Sequence, residues 1–202
     1  MAEVLIKVCG ITNVDDAVKC AELGVDLIGL QVYKGAQRFV RPTVAQAIIN
    51  AVAPQADVLQ TVGVVKDPSE QELQQLLEDV PFDLIQYDGH ESPEFCHSFD
   101  VPFIKRCVLA SAEDAEAMLD YAGRWHLIDC GTAVAAPLSD WITSSTAQGT
   151  LMLSGNVLPE VAVSWVQQFA PAVVDISVSV EKSPGRKDHA RLAAYLKALR
   201  AA

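Results

Sequence analysis

The stretch VLIKVCGITNVDDAVKCAELGVDLIGLQV, residues 4–32, decides the fold. It opens on an apolar run (4–10), passes through a segment patterned as an amphipathic helix, and returns to a second apolar run (26–32). Two runs of strand length joined by a helix make a βαβ unit, and such units build parallel sheets. The helix is well punctuated: Thr12 or Asn13 can cap it, Asp15 and Asp16 fall in the first turn where the helix dipole favours anions, and Gly24 stops it.

Six more apolar runs follow at steady spacing: LQTVGVV (59–65), DLIQYD (83–88), FIKRCVL (103–109), HLIDC (126–130), LMLSG (151–155) and VVDISVS (173–179). Helices are expected between them over 43–52, 67–80, 92–98, 112–122, 159–168 and 188–201. In the second of these, Asp67 is the expected N-cap, with Pro68 at the first helical position and Glu70 at capping-box spacing. Eight strands alternating with helices in 202 residues predict an α/β fold, one (β/α)8 TIM barrel domain spanning residues 1–202. An open, doubly wound sheet is the competing architecture, but neither of its glycine-rich signatures, GxGxxG or GxxxxGK[ST], occurs.

Composition narrows the function. A formal net charge of −11 opposes nucleic acid and anionic membrane surfaces, which would repel such a field. Five cysteines without CxxC spacing, and an N-terminus lacking the pattern of a signal peptide, predict a reduced, cytoplasmic protein. No apolar run reaches the roughly 20 residues of a membrane helix. The four histidines show no metal-ligand spacing, so neither metal nor cofactor is expected and a small molecule is the expected partner.

In a barrel the reacting groups sit at the carboxyl ends of the strands. There the sequence places Cys9, Gln31 with Arg38 beyond it, Lys66, Asp88, Arg106, Asp129, Ser154 with Gly155 and Asn156, and Asp175 with Ser177 and Ser179. Cys9 and Asp129, on strands one and six, can serve as base and acid across the mouth. Arg38 suits a carboxylate, because its planar fork bonds both oxygens. Lys7, Lys105 and Arg106 are expected to cap strands or pair with acids, the other four cysteines to pack, and the tail 182–200 to form a solvated, amphipathic last helix packed on the barrel.

These residues lie in motifs that resemble the phosphoribosylanthranilate isomerases of tryptophan biosynthesis from end to end: KVCGIT (7–12), RFVRP (38–42), TVGVV (61–65), DLIQYDGHESPEFC (83–96), LIDC (127–130), DW (140–141), LSGN (153–156) and VDISVSVEKSPGRKDH (174–189). The resemblance implies an Amadori rearrangement of an N-linked phosphoribosyl aminoaldose. It implies Cys9 as the base at the sugar C2 proton, Asp129 as the acid at the ring oxygen, Arg38 on the anthranilate carboxylate and Asp175 in contact with substrate. Asp88, Gly155, Asn156, Ser177 and Ser179 fall at the remaining substrate-binding positions.

The departures from the family pattern cluster around substrate. Asp88 stands where the family has histidine, GTAVAAPLSDW (131–141) replaces its glycine-rich lid, Gly155–Asn156 replaces a glycine pair, and Ser177, Val178 and Ser179 replace SSG or SGG. Two other readings therefore stay open: a relative acting on a different aminoaldose or small anionic ligand, and a non-catalytic barrel. The oligomeric state stays open between monomer and homodimer.

Overall fold

The computed structural model describes residues 4–107, 112–132, 139, 140, 142 and 150–202. Eight parallel strands close into a barrel in chain order: β1 (Leu5–Cys9), β2 (Leu27–Gln31), β3 (Gln60–Val65), β4 (Leu84–Tyr87), β5 (Phe103–Cys107), β6 (Trp125–Asp129), β7 (Leu151–Ser154) and β8 (Val173–Ile176). The ring is completed by pairing of β1 with β8 as well as β2. Around it run α1 (Val14–Glu22), α2 (Pro42–Val52), α3 (Glu70–Asp79), α4 (Pro93–His97), α5 (Ala112–Leu119), α6 (Pro159–Phe169) and α7 (His189–Arg200). A short antiparallel pair, β9 (Glu181–Ser183) and β10 (Arg186–Lys187), precedes the last helix.

Alternation along the strands sorts the core into two layers. Leu27, Val62, Leu84, Ile104, Trp125, Leu127, Met152 and Val173 form one buried cluster, which fills the barrel interior. Their strand neighbours Ile28, Ile85, Ile128, Leu153 and Val174 belong to the larger cluster shared with the helices. Two residues beyond the interior set the same face carries Gly29, Gln86, Arg106, Asp129, Ser154 and Asp175, with Lys7 and Cys9 on β1. An apolar floor thus carries a polar layer that opens toward the strands' carboxyl ends.

Local chemistry fixes most element starts. The Asn13 side chain accepts from Asp16 N–H at the head of α1, Ser92 from Phe95 N–H at α4, and Asp188 from Arg191 N–H at α7. The start of α3 differs from expectation. Ser69 is its cap, and it forms a reciprocal capping box with Glu72. Asp67 has φ +46° and its carboxylate accepts from His90 N–H at 2.6 Å, so it is held by the loop after β4. The expected last helix is present over His189–Arg200 with Leu192, Tyr195, Leu196 and Leu199 buried, but the residues ahead of it differ: Glu181–Ser183 and Arg186–Lys187 form the β9–β10 pair, and Lys187 is buried. The strand expected to extend to 179 ends at Ile176. Residues 108 and 109, and 133–138 and Trp141 of the expected lid, lie outside the described residues.

Candidate active site

Cys9 is the last residue of β1 and is buried. Its register partner on β2 is Gly29, where a Cβ would stand 2.8 Å from Cys9 Sγ and 3.3 Å from Lys7 Cε. Only glycine leaves this space to the two side chains above it. Lys7 donates to Asp175 Oδ1 at 2.9 Å, and Ser154 Oγ donates to Asp175 Oδ2 at 3.1 Å. Burial alone would discharge Lys7, but the Asp175 carboxylate holds its pKa above the ordinary lysine value. Burial pushes the Cys9 thiol up; Lys7 opposes this, while Asp175 and Asp88 add to it. Cys9 is therefore a thiol in the ligand-free protein, with a buried cation beside it that favours the thiolate.

Asp129 ends β6 and is half exposed, as an acid that meets a ligand must be. Arg106, on the neighbouring β5, donates to its Oδ2 at 2.9 Å, and Gly131 N–H donates to its Oδ1 at 3.0 Å. Asp88, just past β4, accepts from Gln86 Nε2 at 2.8 Å. Burial raises the Asp88 pKa, and the Gln86 hydrogen bond, Arg106 and Lys7 offset this only in part. Asp88 and Arg106 also line a cavity of about 590 Å³ with Lys66, Gly89, His90 and Lys105. A second cavity, of about 670 Å³, lies between the loop after β2 and α3 and shares only Lys66 with the strand-end residues.

Arg38 crosses the top of β1. Gly10, at φ +76°, leaves it room, since a Cβ there would collide with Arg38 Cδ. Arg38 Nε and Nη2 donate to the two carboxylate oxygens of Glu181 at 2.7 and 2.6 Å. Lys187 Nζ donates to Cys9 O at 2.7 Å, Ser177 O at 3.2 Å and Glu181 Oε1 at 3.1 Å. Ser177 Oγ also donates to Cys9 O, at 3.1 Å.

The structure thus brings Cys9, Asp88, Asp129 and Asp175 into one polar layer and sets Arg38 and Ser177 at the end of β1. Asn156 N–H donates to Gly131 O at 2.9 Å, tying the loop after β7 to that after β6, with Gly155 packed against Trp165. The Ser179 hydroxyl oxygen is enclosed beside Tyr195. Lys7, Lys105 and Arg106 each pair with an acid: Asp175, Glu91 and Asp129. Sequence reasoning missed Glu181 and Lys187. Glu181, Lys182, Arg186 and Lys187 flank the Pro-Gly turn of VEKSPGRKDH, and nothing in the sequence marks Glu181 and Lys187 as the buried ones. Among the described residues no group of three His, Cys, Asp or Glu could hold a metal ion, and no helix is long and apolar enough to cross a membrane.

A closed (β/α)8 barrel with a thiol and a carboxylate at the carboxyl ends of β1 and β6 has its ionisable groups on the face where barrel enzymes carry their active sites. A family model described as "PRAI: N-(5'phosphoribosyl)anthranilate (PRA) isomerase" matches residues 6–198, and the chain belongs to that family. It is 35% identical to the N-(5'-phosphoribosyl)anthranilate isomerase of Pseudomonas fluorescens (strain SBW25), over 99% of this chain and 97% of that protein. Among solved structures it is similar to a monomeric form of the dimeric phosphoribosylanthranilate isomerase from Thermotoga maritima. There the TM-score is 0.85 at 27% identity, covering 98% of this chain and 100% of the other. A phosphoribosylanthranilate isomerase solved with reduced 1-(o-carboxyphenylamino)-1-deoxyribulose 5-phosphate gives a TM-score of 0.83 at 28% identity, covering 98% and 100%.

Proposed function

We propose that Cys9 and Asp129 are the base and acid of the reaction that belongs to this family, the Amadori rearrangement of N-(5-phosphoribosyl)anthranilate in tryptophan biosynthesis. Asp129 gives a proton to the ring oxygen as the C1–O bond breaks and the nitrogen lone pair forms the C1=N bond. Cys9, as thiolate, takes the C2 proton to give the enol amine. Loss of the enol proton and protonation at C1 then yield 1-(2-carboxyphenylamino)-1-deoxyribulose 5-phosphate. Arg38 holds the anthranilate carboxylate, and Lys7, kept charged by Asp175, stabilises the Cys9 thiolate. Asp88, Asp175 and Ser177 contact the sugar, while Gly155, Asn156 and Ser179 belong to the loops that face its phosphate. Neither metal nor cofactor is required, because both steps are proton transfers.

The observation that carries this reading is the inward placement of Cys9 and Asp129 at two strand ends above one apolar floor. The enzyme works as one domain over 1–202, as a monomer or homodimer, in the cytoplasm. Its five free cysteines support a reducing compartment, and the dimeric Thermotoga maritima relative supports pairing. The test is turnover of N-(5-phosphoribosyl)anthranilate, followed by the fluorescence of its anthranilate ring. Cys9→Ala and Asp129→Asn are each expected to lower kcat by about 10²–10⁴-fold. Wild-type turnover by Cys9→Ala would remove the thiol from the mechanism.

A further inference from the structure

We infer that Glu181 is a positioning residue for substrate recognition: it occupies one edge of the Arg38 guanidinium and turns the other edge toward the substrate carboxylate. The inference rests on the reading that Arg38 takes that carboxylate. A guanidinium has two edges that can form a fork with a carboxylate, one from Nε and Nη2 and one from Nη1 and Nη2. Glu181 fills the first with two short bonds, at 2.7 and 2.6 Å. On the second edge the described contact is Nη1 donating to Gln37 Oε1 at 3.3 Å, a long bond to an exposed amide. A ligand carboxylate displaces that amide at small cost.

Charge balance supports the same assignment. An acid beside a substrate-binding arginine would ordinarily cancel the charge that attracts the substrate. Here Glu181 also accepts from Lys187 Nζ at 3.1 Å and from Gly185 N–H at 3.2 Å. The Glu181 and Lys187 side chains are 4% and 0% exposed. Lys187 neutralises Glu181, and the Arg38 charge remains available. The same ammonium holds Cys9 O and Ser177 O, so the arginine is indexed to the strand that carries the base. Both residues that set the geometry come from the β9–β10 pair, which gives that otherwise isolated hairpin a purpose in the site.

The experiment compares two ligands, the reduced carboxyphenylamino-deoxyribulose phosphate and its phenylamino counterpart without the carboxylate. They are titrated by calorimetry into wild type, Glu181→Gln, Arg38→Ala and the double variant. Wild type is expected to prefer the carboxylated ligand. Glu181→Gln is expected to lose about tenfold of that preference, as a disordered charge-assisted contact would, while binding the phenylamino ligand as wild type does. In the Arg38→Ala background the glutamate change is expected to alter nothing further. Should Glu181→Gln fail to fold, Glu181→Asp, which keeps the charge beside Lys187 but shortens the reach, is expected to show the same selective loss. An equal loss for both ligands, or an unchanged preference, would overturn this inference alone. Absence of any preference in wild type would overturn the role of Arg38 and the inference with it.

Discussion

Replacing Gly29 by alanine puts a methyl group 2.8 Å from Cys9 Sγ and 3.3 Å from Cys9 Cα. Carbon contacts are comfortable at about 3.5–4.0 Å, so the sulfur has to retreat by about 1 Å. The Cα cannot share the movement, because β1 is paired in register with β2 on one side and β8 on the other. The thiol therefore rotates out of position, and a misplacement of that size in a reacting group costs about 10²-fold in rate. Overpacking adds about 1–3 kcal/mol of destabilisation, at about 2–4 °C of Tm per kcal/mol for a chain of this length. The assay is kcat/KM for N-(5-phosphoribosyl)anthranilate at 25 °C beside a thermal melt of the same preparation. A lowered Tm with undiminished turnover would refute the assignment of Cys9 as base. An unchanged Tm with unchanged turnover would refute the packing described around Gly29.

Three further outcomes are expected. Burial raises the Cys9 pKa above its ordinary 9.0, so thiolate is scarce at neutrality and the rate of Cys9 alkylation by a small iodoacetamide probe, read by peptide mass spectrometry, should climb about tenfold per pH unit from pH 6 to 8; a plateau there would contradict a raised thiol pKa. Asp88 has a folded pKa raised above the ordinary 3.8, so the unfolded chain loses its proton first and stability falls as pH rises through that range. Asp88→Asn should therefore raise Tm at pH 7 and leave it unchanged near pH 3, and a lower Tm at pH 7 would reverse the sign. Lys105→Met leaves Glu91 buried without its 2.8 Å ion pair, at a cost of about 3–5 kcal/mol and a Tm lower by about 10 °C; a Tm within 2 °C of wild type would show that the amides of Asp67 and Gly89 suffice for Glu91.

The strands and the ends of α1 were legible because apolar runs, an Asn cap and a glycine stop are local signals, and the closed eight-stranded barrel followed from their number. The α3 cap was misplaced by two residues, because Asp67 and Ser69 are both good caps in isolation. Only the loop after β4, more than twenty residues on, takes the aspartate away. Cys9, Arg38 and Asp129 were legible as strand-end chemistry and as motifs. Their partners were not: Glu181 is 143 residues from Arg38, Lys187 is 178 from Cys9, and a charged turn near a C-terminus reads as solvated unless its fold is known.

The bond from Lys187 Nζ to Cys9 O joins a residue from the end of the chain to one from its beginning. During synthesis, Cys9 leaves the ribosome 178 residues ahead of Lys187. Until β8 arrives, one edge of β1 lacks its partner strand, and until the β9–β10 hairpin arrives Arg38 has no glutamate to orient it. A chain still without the hairpin therefore carries Cys9 before the contacts that fix Arg38 beside it have formed. The candidate site is complete only once the β9–β10 hairpin is docked against the end of β1.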